Sequence, residues 1–259
     1  MAEFIDLART PGLLLIIARL AGFFMMTPFF SYRTIPMTVR VGLVVMLAWM
    51  MFFAIDIPVF LLNGQFFILL LKEVTVGLMI GLLAYIILSA VQIAGGFIDF
   101  QMGFAIANIV DPQTGAQSPI IGQYFYIFAL LFLVATNAHH LLLDGIYYSY
   151  EFIGFYDMLP VGNESFPTFI IDSFAYMFML AFQMAIPVVG SLFLVDIALG
   201  MIARTVPQVN VFVVGLPLKF MVAFLMILIF LGFYIMLLRN LFETMFELMR
   251  QLMQLLGGA

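Results

Sequence analysis

The sequence predicts an all-α integral membrane protein, and three observations carry the prediction: its composition, the length of its apolar runs, and the glycines and prolines that punctuate them. Of 259 residues, 66% are hydrophobic and 9% charged, with a mean hydropathy of +1.22, whereas soluble proteins carry about 25% charged residues. A membrane-spanning helix needs about 20 predominantly apolar residues. By that measure there are about six long hydrophobic helices or helical hairpins, several broken by glycine or proline. No soluble domain or internal repeat is evident, so residues 1–259 read as a single membrane-embedded domain.

The first segment, about 13–30, contains Arg19, read either as a long stem snorkelling to the interface or as a partner inside an assembly. The connection SYRTIPMTVR follows, with Arg33, Pro36 and Arg40. The second segment, about 41–62, holds the one tryptophan, Trp49, and ends near Asp56 and Pro58. The third, about 66–93, carries adjacent Lys72 and Glu73, which point about 100° apart on a helix. Their partners are therefore expected in another segment or subunit. Gly77 and Gly81 of the same segment form a G-x-x-x-G face on which another helix can approach closely. Gly95-Gly96 are expected to loosen the helix.

The fourth segment, about 120–143, ends in ATNAHHLLLDG. His140 and Asp144 are four apart and share a helix face, but two adjacent histidines supply neither a metal-ligand set nor a nucleophile-base pair. A structural role is expected for them. Residues 144–172 are acidic, with no lysine or arginine. The fifth segment, about 173–200, carries Gln183, a kinking Pro187 and Asp196, which should face protein or water. The stretch MIARTVPQVNVFVVGLPLK, with Arg204, Pro207, Asn210, Gly215, Pro217 and Lys219, is a second punctuated connection. The sixth segment, about 221–238, passes into an amphipathic tail, about 239–259. There Leu241, Met245, Leu248 and Leu252 share one side, and Arg239, Glu243, Glu247 and Arg250 lie largely elsewhere. Arg33, Arg40 and Arg204 fall on one side of alternating spans and the acidic connection on the other, but Arg239 and Arg250 oppose that count, so basic residues fix no orientation.

Between the third and fourth segments lies QMGFAIANIVDPQTGAQSP, residues 101–119. Gly103, Pro112, Gly115 and Pro119 make it a poor helix, so it should be a shaped loop. Irregular backbone at membrane depth survives only where protein buries it or where it lines a wet cavity. The stretch is therefore a plug, gate or ligand loop, or an ordinary surface connection.

Composition also excludes. With no cysteine there is neither a disulfide scaffold nor a thiolate metal site. A net charge of −5, with nine scattered basic residues, argues against nucleic-acid binding. Glu3 and Asp6 before Arg9 argue against a cleaved signal peptide. No cofactor or metal is expected. Two other functional classes stay open on the residues alone. One is an ion-coupled secondary transporter using Lys72, Glu73, Asp99 and Asp196. The other is a membrane hydrolase built on His139, His140 and Asp144.

Four motifs in order, PFFSYRTIPMTVRVGL, GFAIANIVDPQTGAQSP, FLVATNAHHLLLDG followed by LPVG, and RTVPQVNVFVVGLPLK, resemble the FliR family of flagellar biosynthesis proteins and its virulence type III secretion counterparts. The resemblance covers nearly the whole chain; Ala138 stands where that family usually has glycine. It implies a non-enzymatic subunit of the type III export gate in the bacterial inner membrane, at the flagellar basal body. The subunits pack into a helical hetero-oligomeric channel with FliP-type and FliQ-type partners and an FlhB-type switch protein, and pass unfolded flagellar substrates. It also implies that the gate stands partly above the membrane plane, so that not every segment need span. The loop matching 104–122 would be a plug. Gly103 and Gly115 would act as hinges, Phe104, Ile106, Ile109 and Val110 as apolar seal, and Asn108, Asp111, Pro112 and Gln113 as shaping or polar contacts. Arg40, Lys72, Glu73, Gly77, Gly81, Arg204, Pro207, Asn210 and Lys219 would make assembly contacts.

Overall fold

The computed structural model describes residues 9–32, 35–104, 119–160, 165–208 and 210–258. Among the described residues there are eight α-helices and no strand: α1 (Thr10–Met26), α2 (Met37–Ala54), α3 (Gly64–Met102), α4 (Ile120–Ala135), α5 (Ala138–Phe152), α6 (Ser165–Thr205), α7 (Val211–Ile229) and α8 (Leu231–Gly257).

Local chemistry explains most of the boundaries. Pro11 sits in the first turn of α1, where its missing N–H costs nothing. The helix stops at Thr27, which is extended (ψ 128°), because the residue before a proline avoids the helical region. Pro36 precedes α2. Asn63 opens α3, its Oδ1 accepting from the Phe66 N–H at 3.1 Å. Asn137, in the left-handed region at φ 57°, separates α4 from α5, and the two are bent by 74°.

Four boundaries differ from the sequence reading, the first being the break at Asn137 inside the fourth segment, expected as continuous over about 120–143, where the left-handed backbone of Asn137 ends α4. Gly95-Gly96 do not interrupt α3, which runs to Met102; the reason is a close contact, since a Cβ on Gly95 would overlap the backbone of Gly122. The 204–219 stretch is mostly helical. Only its middle is open, and Gly215 and Pro217 lie inside α7, as prolines do in membrane helices whose surroundings re-satisfy the freed backbone. The sixth segment straddles the break at Phe230 between α7 and α8.

Helices α2, α3, α6 and α7 are each long and apolar enough to cross a membrane, and α4 with α5 forms a bent pair. α3 has 39 residues and α6 has 41, about 58 and 62 Å at 1.5 Å per residue. A hydrocarbon core is about 30 Å thick. Upright, neither helix fits inside it.

Contacts divide the chain into two compact units. The first comprises Met1–Ile87, Leu133–Ser173 and Thr244–Ala259; the second comprises Leu88–Phe132 and Phe174–Glu243. Every exchange point lies inside a helix, so no linker composition marks it.

The first unit centres on the crossing of α1 with α3. Leu15, Ile16, Leu20 and Phe23 of α1 and Val76, Ile80 and Leu83 of α3 are all at most 1% exposed. Glycines bring the two backbones together. A Cβ on Gly77 would overlap the Arg19 carbonyl, one on Gly81 would sit 2.8 Å from the Phe23 carbonyl oxygen, and one on Gly22 would sit 2.5 Å from that of Val74. The tail end of α8 buries Met245, Met249, Leu252, Met253 and Leu256 and exposes Glu247 and Arg250, the amphipathic pattern expected. In the second unit Ala94, Ile98 and Met102 of α3, Ala129 of α4, Leu192 of α6 and Leu238 of α8 are fully buried.

Candidate functional site

In the second unit, the described ends of the 101–119 stretch are held by local chemistry. Gly103 takes φ +94°, a conformation that glycine adopts without penalty. The Phe104 N–H donates to the Asp99 carbonyl at 3.0 Å and the Gly103 N–H to the Phe100 carbonyl at 3.1 Å, which is the paired-bond Schellman termination of a helix. Beyond it the Phe104 ring stacks on Phe220 of α7, centroids 4.7 Å apart. At the other end Pro119 leads into α4, and the Asp99 carboxylate reaches its first turn. Asp99 Oδ2 accepts from the Ile121 N–H at 2.9 Å and the Gly122 N–H at 3.4 Å. Helix starts have orphan N–H groups and a partial positive charge, so a carboxylate there satisfies both.

A second polar group braces the same stem. Gln101 Nε2 donates to Asp196 Oδ2 at 2.8 Å. Lys219 pairs with Asp196 Oδ1 at 2.5 Å and donates to the Gln101 carbonyl at 3.4 Å. Beside this group opens a cleft of about 320 Å³ lined by Gly103, Asp196, Leu199, Gly215, Leu216 and Lys219. Asp196 thus faces protein, as expected. Ile106, Asn108, Ile109, Val110, Asp111, Pro112, Gln113 and Gly115 lie outside the described residues.

The first unit contains a buried ionic cluster. Glu73 Oε2 accepts from Arg19 Nε at 2.5 Å and Oε1 from Arg19 Nη2 at 3.1 Å, and Lys72 Nζ lies 3.0 Å from the same Oε1. Arg19 also donates to Ser149 Oγ and the Ile153 carbonyl, both at 2.9 Å, and its guanidinium lies 3.7 Å over the Tyr150 ring. Lys72 donates to the Gly154 and Phe155 carbonyls. Arg19 and Glu73 are wholly buried. Arg19 therefore neither snorkels nor waits for another subunit: its partner is 54 residues away in the same chain. Lys72 and Glu73, read as pointing apart, do meet, because the flexible lysine stem spans the angle. Three hydrogen bonds to 153–155 tie the turn after α5 onto α1 and α3.

The remaining predicted residues are dispersed. Arg40 Nη2 donates to the Ser31 and Tyr32 carbonyls at 3.1 and 2.6 Å, closing the α1–α2 connection. Arg204 and Pro207 are exposed. Asn210 caps α7, its side chain accepting from the Phe212 and Val213 N–H groups at 3.2 and 3.4 Å. The His139 ring lies tilted against Phe29 and His140, centroids 6.1 and 4.1 Å away, so the two imidazoles meet although neighbouring helical positions diverge. Among the described residues no three His, Asp or Glu side chains form a metal-binding group.

Sequence reasoning missed Ser149, Tyr150, Gly22 and Gly122. A lone serine or tyrosine on a helix carries no mark of a partner 130 residues away. Gly22 and Gly122 had a detectable sign, a single glycine inside an apolar helical run, which marks close backbone approach when no turn follows.

The model of a family described as bacterial export proteins, family 1, matches residues 10–245. The chain is 52% identical over 259 residues to flagellar biosynthetic protein FliR of Bacillus subtilis (strain 168), covering 99% of each. It is 28% identical over 230 residues to Yop proteins translocation protein T of Yersinia pestis, covering 87% of this chain and 88% of that one. Against flagellar biosynthetic protein FliR of Escherichia coli (strain K12) the identity is 28% over 200 residues, 74% of this chain and 73% of the relative. The chain belongs to the bacterial export proteins, family 1.

Proposed function

We propose that this chain is the FliR-type subunit of a flagellar type III export gate, that it builds the channel together with FliP-type and FliQ-type subunits and an FlhB-type switch protein, and that the 101–119 stretch stoppers that channel at rest. The chain is a component of a type III export apparatus and a multi-pass protein of the bacterial inner membrane. The observation that carries the reading is end-to-end similarity to FliR at 52% identity, extended to a translocation protein of a second system.

Two features support the finer parts. The stem of the 101–119 stretch is braced at both described ends, while its interior sequence carries Ile106, Ile109 and Val110, side chains suited to excluding water by dewetting. A conduit for unfolded protein must not leak ions when idle, and an apolar collar meets that need without charge. Support for partners comes from bare apolar helices: Phe212, Met221 and Leu228 of α7 are 85%, 71% and 74% exposed. Such surface needs lipid or protein against it.

The ion-relay reading is not supported. Glu73 and Lys72 are tied to Arg19 and to carbonyls, Asp99 is spent on the start of α4, and Asp196 is paired with Lys219. Among the described residues none of them is linked to another acid within its own unit.

The test is the mass and composition of the complex purified with this chain in mild detergent. The proposal expects several copies of two smaller membrane subunits around one copy of this chain. A solitary chain, or a homo-oligomer, overturns it.

A further inference from the structure

Among the described residues of the second unit, Asp99 is the one buried carboxylate, and its two oxygens are treated differently. It is 3% exposed. Oδ2 accepts both described N–H bonds from the first turn of α4, while Oδ1 is buried with no hydrogen-bond partner. An acceptor held without a partner is costly, and the compensating contacts are those of Oδ2. The surroundings leave no slack. A Cβ on Gly95, one turn before Asp99, would overlap the backbone of Gly122, and one on Gly122 would sit 2.8 Å from the Gln92 carbonyl oxygen and 2.7 Å from Pro119 Cγ. The last turns of α3 and the first turn of α4 are thus in backbone contact at Gly95 and Gly122, and Asp99 bonds the same turn 22 residues on in sequence.

We infer that Asp99 is a positioning residue: its carboxylate serves as the missing N-cap of α4, fastening the end of α3 to the start of α4 and so fixing the span between the two feet of the stretch that separates them. Ordinary capping residues lie immediately before their helix. Here the residue before Ile120 is Pro119, which has no side-chain acceptor, and the cap is delivered from the neighbouring helix. The consequence for sealing rests on the proposed function, because fixed feet matter only if the stretch between them closes a channel.

The experiment uses the intact complex bearing Asp99→Ala or Asp99→Asn. Hydrogen exchange is read by mass spectrometry on peptides covering 119–124, with peptides from the interior of α4 as reference, and ion leak is read in cells. Asp99→Ala should speed exchange in the first turn of α4 by about tenfold, the scale of a lost cap, with the α4 interior unchanged. Asp99→Asn keeps an acceptor at the same place and should stay within about threefold of the parent. It also keeps the assay decisive if the alanine variant does not assemble, since an asparagine variant exchanging as fast as uncapped helix overturns the inference. So does an alanine variant as protected as the parent. Both variants should rank in leak as they rank in exchange. Faster exchange without added leak leaves the cap in place and overturns the plug reading on which its role in sealing depends.

Discussion

Replacing Glu73 by leucine tests how the first unit is held together. The carboxylate accepts three charged contacts, from Arg19 Nε at 2.5 Å, Arg19 Nη2 at 3.1 Å and Lys72 Nζ at 3.0 Å. The side chains of Arg19 and Lys72 are 0% and 4% exposed, so the substitution leaves two cations in an apolar core. Removing one partner of such a pair costs about 3–5 kcal/mol. Arg19→Met should cost a similar amount, because it strands Glu73 with Lys72 alone and takes donors from Ser149 and the Ile153 carbonyl. If the two sites were independent, the double variant would lose about 6–10 kcal/mol. It should instead fall short of that sum by about 2 kcal/mol or more, since the second substitution removes the charge the first one stranded. It should not return to the parent, because Lys72 still lacks its anion. The assay is unfolding of the purified chain by titration of a denaturing detergent into a mild one. It is followed by the fluorescence of Trp49, which stacks on Phe52 and meets Phe53 edge to face, both of α2 in the same unit. Additivity within about 0.5 kcal/mol, or a Glu73→Leu variant as stable as the parent, would refute the reasoning.

The remaining predictions concern backbone approach and capping. Gly77→Ala should destabilise the first unit by about 1–3 kcal/mol, since its Cβ meets the Arg19 carbonyl rather than a movable side chain. Gly42→Ala on α2 meets nothing within 4 Å and should stabilise by about 0.5–1 kcal/mol through helix propensity; the same unfolding titration separates them. Asn210→Ala should cost about 1 kcal/mol by uncapping α7 and lower the yield of co-purified subunits. Arg204→Ala, at an exposed position, should leave the unfolding midpoint unchanged and act on co-purification alone.

What the residues reveal in advance follows from how local each determinant is. Pro28, Pro36 and Asn63 act on their own backbone, and the helix ends at those places are legible, whereas the apolar run of 120–143 conceals the break at Asn137. The amphipathic tail is legible because its period of 3.6 needs only its own residues. The G-x-x-x-G face at Gly77 and Gly81 announced a close helix crossing without naming α1 as the partner. Gly95-Gly96 misled for the opposite reason: a glycine pair reads as a weak point, whereas here Gly95 makes room for Gly122, and only the folded chain brings the two together. The same holds for charge. Arg19, Glu73, Asp99 and Asp196 stand out as ionisable residues in apolar runs, which marks them as functional or structural centres. Their roles depend on partners 54, 22 and 23 residues away at Glu73, Asp99 and Asp196, and no local pattern encodes those distances. Lys219 was legible as part of a motif and illegible as the counter-ion of Asp196.

Under the proposed function, a stretch braced at the end of α3 and the start of α4 keeps an otherwise open protein conduit closed to ions. The most direct test of this closure is the membrane conductance of cells whose gate carries this chain without residues 107–117, with assembly checked by co-purification. An assembled complex with raised ion leak is the predicted result. An assembled complex with the conductance of the parent would contradict it.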